Sequence, residues 1–162
     1  MKTFSLLLMI LLLGSPSALA LPLVGESKLR VLFWDIYTAR LYAPEGQFTA
    51  IEAPLTLSLT YHRDIDSSAL MDATREQWQR LNFKDDDSLT WLEQVAPCMP
   101  DVSDGDNLSF RLTAGSHAEI VFNGELLCSL PPSKGNSQFL AIWLSEQSAY
   151  PRFTQRLLAK GD

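Results

Sequence analysis

Leu55-Thr-Leu-Ser-Leu-Thr-Tyr61 gives way within a few residues to Ser67-Ser-Ala-Leu-Met-Asp-Ala-Thr-Arg-Glu-Gln-Trp-Gln-Arg-Leu81. The period of the apolar residues changes between the two. In the first segment Leu55, Leu57, Leu59 and Tyr61 share one face, and Thr56, Ser58, Thr60 and His62 share the other. That is the two-residue period of a half-buried strand. In the second, Met71, Thr74, Trp78 and Leu81 recur at helical spacing, with Leu70 and Ala73 beside them. Asp66, Ser67 or Ser68 is placed to cap this helix by accepting from its free N–H groups.

Working outward, Lys28 to Ala43 is apolar and aromatic without Gly or Pro, which predicts strands over about 28–34 and 36–43, bent near Asp35. Pro44-Glu45-Gly46 ends them as a turn. Downstream, a second helix starts near Asp87-Ser88. Leu89, Leu92, Val95 and Ala96 form its expected buried stripe, and Pro97 stops it. Asp85-Asp86-Asp87 places negative charge at its N-terminus, where the helix dipole favours it. Leu108, Phe110 and Leu112, then Ala118, Ile120 and Phe122, alternate as strands. Asn123-Gly124 is a strong hairpin signal, because both turn residues need positive φ. Leu126–Leu130 returns as a strand, and Pro131-Pro132 closes it. Phe139–Leu144 reads as a short buried helix. Ser148 is placed to cap a last helix, which has Pro151 near its first turn and Phe153, Leu157 and Leu158 on its apolar face. Strands and helices are segregated, which predicts an α+β domain with a mostly antiparallel sheet covered by helices on one face. There is no internal repeat or interdomain linker.

The 162 residues carry 13 Lys+Arg against 19 Asp+Glu, a net charge of −6, and 46% are apolar. Such a chain is rich enough in Leu, Phe and Trp to fold as one domain. The acidic balance argues against nucleic acid as a partner. It also gives no polybasic signal for anionic lipid headgroups.

Residues 1–20 read as a secretory signal peptide. Lys2 supplies the positive start, Phe4–Leu13 the apolar run, and Ala18-Leu19-Ala20 the small-x-small cleavage site. The run is too short to span a membrane, and no later segment is long and apolar enough to do so. The expected product is an exported, periplasmic domain over 21–162 with no transmembrane anchor after cleavage. Export permits a disulfide between Cys98 and Cys128. Two buried thiols are the alternative, since sequence does not show whether the Cα atoms come within bonding range.

Chemistry-bearing motifs are sparse. His62 and His117 fall short of a zinc ligand set. Asp101, Asp104 and Asp106 fail the calcium-loop spacing, because Leu112 stands where a bidentate Glu is needed. The expected metal complement is none. There is no Gly-x-Ser-x-Gly elbow and no glycine-rich phosphate loop. Tyr61-His62-Arg63-Asp64 groups titratable residues at a strand-to-helix junction, although capping and core packing account for the same residues. Tyr37 and Tyr42 flank Arg40 on one strand. Buried Tyr beside a cation suits a carboxylate, and equally finds a backbone partner.

Several ordered segments resemble bacterial chalcone isomerase-like proteins. They are Leu23-Val-Gly-Glu, Leu29-Arg-Val-Leu-Phe-Trp-Asp-Ile-Tyr-Thr-Ala-Arg-Leu-Tyr-Ala-Pro, Leu59-Thr-Tyr-His-Arg-Asp-Ile, Gly105-Asp, Phe122-Asn-Gly-Glu and Phe139-Leu-Ala-Ile-Trp-Leu. The resemblance implies an open-faced β-sandwich, in which a curved antiparallel sheet and its helices enclose a ligand cleft. Plant isomerases of that fold use an Arg, a Thr, a helical Tyr and a helical Asn. Here Tyr37 falls at the place of the Thr, with Thr38 one position off, and Lys28 or Arg30 matches the Arg. The helical pair falls near Leu70 and Gln77, so neither residue type is kept. A Leu cannot donate the hydrogen bond a developing oxyanion needs. The reading is a non-enzymatic protein, without catalytic residues or cofactor, that binds a small hydrophobic or amphiphilic ligand such as a fatty acid. Lys28, Arg30, Tyr37 and Tyr42 are the candidate ligand-binding residues. The alternatives are an isomerase or cyclase acting on a hydrophobic carbonyl compound, and a periplasmic accessory protein acting by protein contact.

Overall fold

The computed structural model describes residues 20–161. The expected signal peptide, apart from Ala20, lies outside the described residues. Among the described residues, six strands follow chain order across a single sheet. They are β1 (Leu23–Val31), β2 (Trp34–Tyr42), β3 (Leu55–Tyr61), β4 (Asn107–Thr113), β5 (His117–Phe122) and β6 (Glu125–Leu130), and every neighbour is antiparallel. Helices α1 (Ser67–Arg80) and α2 (Asp86–Val95) fall between β3 and β4, and α3 (Lys134–Leu144) and α4 (Pro151–Leu157) follow the sheet. The domain is α+β, an open antiparallel sheet with helices packed on it.

Strand alternation decides which face the helices cover. Ala39, Leu41, Leu55, Leu57, Leu59, Phe110, Leu112, Ala118 and Ile120 point inward and are buried. The next residues along each strand point the other way. On that outer face Asn107 donates to the hydroxyls of Ser58 and Thr60 at 2.8 and 3.1 Å, and Arg111 pairs with Glu119 across the β4–β5 ladder. The core is continuous between the inner face and the apolar stripes of α1, α2, α3 and α4.

Local chemistry explains most boundaries. Asn123 and Gly124 turn the β5–β6 hairpin at φ +49° and +84°. Asp85 caps α2, accepting from Ser88 N at 3.2 Å. Pro151 occupies the first turn of α4, where its missing N–H costs nothing.

Four expectations are corrected. The first two strands are parted by a turn at Leu32-Phe33, with Val31 paired to Trp34, instead of bending near Asp35. No Gly, Asn or Pro marks that turn, so its signal is missing from the sequence. The buried stripe of α2 is rotated: Trp91 is buried while Leu89 is 48% exposed. The larger ring takes the inward position, stacked on Trp78 with centroids 5.2 Å apart. Helix α3 begins at Lys134, ahead of Phe139, because Ser133 caps it by accepting from Gly135 N at 3.1 Å. Asp66 stands at the N-cap of α1 as expected but makes no side-chain capping bond, and Tyr150, not Ser148, stands at the N-cap of α4. The Ser67 N–H donates to Asp101 from a distant loop at 2.8 Å, and the Ser148 hydroxyl lies 2.6 Å from that of Thr154 instead.

Cys98 and Cys128 are bridged, with Cα atoms 6.0 Å apart. The bond ties the segment after α2 to β6, the outermost strand at that edge.

Candidate ligand cavity

Between the inner face of β1–β4 and helices α1, α3 and α4 the core is hollow. The cavity has a volume of about 410 Å³, within the range of small-ligand sites. Its walls are mostly aliphatic and aromatic, among them Leu57, Leu59, Leu70, Phe139, Ile142 and Phe153. Small residues open it on one side. Ala69 and Ala73 on α1 are exposed, as are Val31 and Tyr150, yet all four also line the cavity. They form its mouth.

Two tyrosines place hydroxyls in this wall beside those of Thr74, Ser109, Ser148 and Thr154. Tyr37 on β2 and Tyr61 on β3 are directly opposite in the ladder, and their rings meet edge to face with centroids 5.8 Å apart. Trp143 Nε1 donates to the Tyr37 hydroxyl at 2.9 Å. That leaves the proton of Tyr37 free to donate in turn. Among the described residues, no hydrogen bond to the Tyr61 hydroxyl is formed. Burial pushes both hydroxyls above the ordinary tyrosine range, so both stay neutral donors at physiological pH. Gln77, one turn beyond Ala73 on α1, adds an amide to the lining, and Glu76 adds a carboxylate at the exposed side.

Among the described residues that line the cavity there is no Lys, Arg or His. Lys28 and Arg30 stand on the outer face of β1, because alternation sends Ser27 and Leu29 inward. Both bind Asp35, at 3.1 and 2.7 Å. Hydrogen bonds from Arg30 and Lys28 lower the Asp35 carboxyl to about 2. Tyr42 is half-buried and lies outside the cavity lining. Of the four ligand-binding candidates, the structure brings Tyr37 to the cavity, and it places Lys28, Arg30 and Tyr42 elsewhere. Tyr61, Gln77 and Trp143 join Tyr37 there. The alternation of Leu55, Leu57, Leu59 and Tyr61 already points Tyr61 inward. Its pairing with Tyr37 depends on the β2–β3 register, which no local pattern carries. Leu70 and Gln77, at the places the resemblance gives to a helical Tyr and Asn, both line the cavity. One brings methyl groups, the other an amide.

The Tyr61-His62-Arg63-Asp64 group is dispersed. Tyr61 faces the cavity, His62 meets Thr38 Oγ1 at 2.7 Å on the outer face, and Arg63 lies over the Trp34 ring at 4.8 Å. Asp64 accepts from the backbone N–H of Asp104 at 3.4 Å. Asp106 braces its own turn and the β5–β6 hairpin, accepting from Ser103 N and Asn123 Nδ2. No cluster of three or more His, Cys, Asp or Glu is placed to hold a metal among the described residues.

The family model for chalcone isomerase-like proteins matches residues 19–159. The chain belongs to the chalcone isomerase-like family. An uncharacterised protein of Haemophilus influenzae is 27% identical over 127 residues, covering 78% of this chain. The chain spans 62% of the length of that relative. Among solved structures, a fatty-acid-binding protein of Arabidopsis thaliana superposes with a TM-score of 0.67 at 14% identity. The match covers 86% of this chain and 87% of the plant protein. At that identity the likeness speaks to the chalcone isomerase-like fold alone.

Proposed function

We propose that this chalcone isomerase-like protein binds a small amphiphile in the cavity, without catalysing a reaction on it. The cavity carries the reading: about 410 Å³ of space with a mostly apolar wall and two neutral hydroxyl donors inside it. An apolar tail gains roughly 25 cal/mol for each Å² withdrawn from water. The structural neighbour, a fatty-acid-binding protein, shares the fold and supports a lipid as the ligand class.

The polar end of the ligand follows from the charges. An ionised carboxylate placed beside Tyr37 and Tyr61 would be desolvated with no cation among the described lining residues to offset that cost. Glu76 adds repulsion at the exposed side. A neutral acceptor accepts from both hydroxyls without that penalty. The ligand class is therefore an amphiphile with a neutral oxygen head, a protonated fatty acid included. The leader over residues 1–20 fits a protein that meets its ligand after export to the periplasm.

Native mass spectrometry of the protein, purified gently from its own compartment, tests this. A stoichiometric amphiphile, released and identified, is the expected result. An empty protein that also ignores a panel of fatty acids, fatty alcohols and fatty esters would overturn the reading. Turnover of a chalcone by the same preparation would overturn its non-enzymatic part.

A further inference from the structure

The tip of the β1–β2 hairpin is apolar and faces water. Leu32 is 83% exposed, Phe33 92%, Trp34 61% and Val31 38%. Four consecutive apolar residues at one exposed turn are not explained by the core, because Leu32 and Phe33 are left almost wholly in water. Nor does turn geometry ask for them. Leu32 has φ +54°, a conformation that two-residue hairpin turns usually give to Gly. The residue chosen for this position adds both strain and exposed hydrophobic surface.

We infer that this tip docks the protein onto a lipid bilayer, with Leu32 and Phe33 inserted among the acyl chains and Trp34 at headgroup depth. Three observations favour a lipid surface over a protein partner. First, the patch is small. A specific protein interface engages roughly 20–30 residues a side, whereas a few Leu and aromatic side chains are sufficient for an interfacial anchor. Second, the charges around it suit headgroups. Lys28, Arg30 and Arg63 flank the tip, against Asp35, which binds the first two, and Asp64, which is turned to the Asp104 backbone. Arg63 covers the Trp34 ring, and Trp with Arg is a pairing suited to the membrane–water boundary. Third, the hairpin is continuous with the cavity. Val31 belongs to the exposed tip and to the cavity mouth at once, and Leu29 and Ile36 of the same hairpin line the interior. A docked tip holds that mouth close to the bilayer, so a lipid-like ligand enters or leaves with less of its tail crossing water. This last argument rests on the proposed amphiphile binding; the exposed residues themselves do not.

Flotation of the full protein, purified from its own compartment, tests the docking. The probe is vesicles of phosphatidylethanolamine with a minority of phosphatidylglycerol. The wild type is expected to float with the vesicles. The double variant L32D/F33D is expected to lose at least tenfold in the bound fraction. Both positions are exposed, so circular dichroism should show an unchanged fold. L89D, which changes an exposed Leu on α2 away from the tip, is expected to float as the wild type does. A wild type that stays in solution, or a double variant that floats unchanged, overturns the proposal. So does a concentration-dependent dimer that L32D/F33D abolishes while vesicle binding persists. Native mass spectrometry of the same variants separates this test from the cavity reading. L32D/F33D that retains a bound amphiphile while losing vesicles isolates docking, and vesicle binding by a ligand-free protein leaves docking standing without the cavity reading.

Discussion

The space between sheet and helices is filled in two different ways. Under α2, the last turn of α1 and the first half of α3 it is packed, with the buried Asn136 fully bonded and the Trp78 indole N–H left without a partner. Under the rest of α1 and under α4 it is hollow. In the packed half, Trp78, Trp91, Phe110 and Phe139 form a continuous aromatic cluster with centroid spacings of 4.8 to 6.5 Å. Asn136 is fully buried there. It accepts from Trp91 Nε1 at 2.8 Å and donates to the carbonyls of Ser116 and Pro131 at 2.8 and 3.0 Å. Gly135 lets α3 lie against Trp91, since a Cβ there would stand 2.2 Å from Trp91 Cγ. In the hollow half the Tyr37 and Tyr61 hydroxyls keep hydrogen-bonding capacity to spare. One half locks the layers together, and the other keeps a gap between them.

This contrast can be broken from the packed side with the largest effects. Asn136→Ala removes one acceptor and two donors from a buried network, and each orphaned group costs about 1–3 kcal/mol. We expect a loss of roughly 3–5 kcal/mol in chemical denaturation. Gly135→Ala should fall in the same class, because the clash is with a ring held on both sides. Next comes the disulfide. Cys98→Ser with Cys128→Ser releases a loop closed over 30 residues, worth about 3–4 kcal/mol in the chain-entropy model. Reducing agent should lower the melting temperature of the wild type and not of the double variant.

The hollow half should respond in ligand affinity more than in stability. Ala73→Trp puts a large ring at the exposed cavity mouth. It should change stability by less than about 1 kcal/mol, the usual scale for surface changes, and lower affinity at least tenfold by titration. The two tyrosines divide between stability and binding. Tyr37→Phe strands the buried Trp143 N–H and should cost about 1–3 kcal/mol of stability. Tyr61→Phe strands nothing in the protein, so it should leave stability nearly unchanged and weaken only the ligand.

The smallest effect concerns pH. A hydrogen bond from Lys134, with smaller help from Ser88, lowers the Asp85 carboxyl to about 2. A carboxyl depressed in the folded state adds stability above its ordinary range, and that contribution is lost as pH falls through the folded value. Stability should therefore decline between about pH 4 and pH 2 by a small, salt-sensitive amount, since the pair is exposed. Asp85→Asn should flatten that part of the profile.

Much of this was legible in residue order. The two-residue period of Leu55–Tyr61, the helical period of Met71–Leu81, the Asn123-Gly124 turn and the segregation of strands from helices determine an α+β domain with helices on one face. These are local signals, because burial on one side imposes a period on neighbouring residues. The ordered motifs carried the family. What residue order did not carry was distance between partners remote in the chain. Tyr37 and Tyr61 meet only through the β2–β3 register, and Trp143 reaches Tyr37 across 106 positions. Lys28 and Arg30 have the residue type of a ligand cation, but the phase of β1 beside the Leu32-Phe33 turn directs both outward to Asp35. A one-residue change of phase moves every side chain of a strand to the opposite face. The apolar residues at that turn are visible in the sequence, but their exposure is a property of the folded hairpin. Sequence alone determined the layers and their composition; tertiary structure decided which side chains share the space between them, and that space was left open.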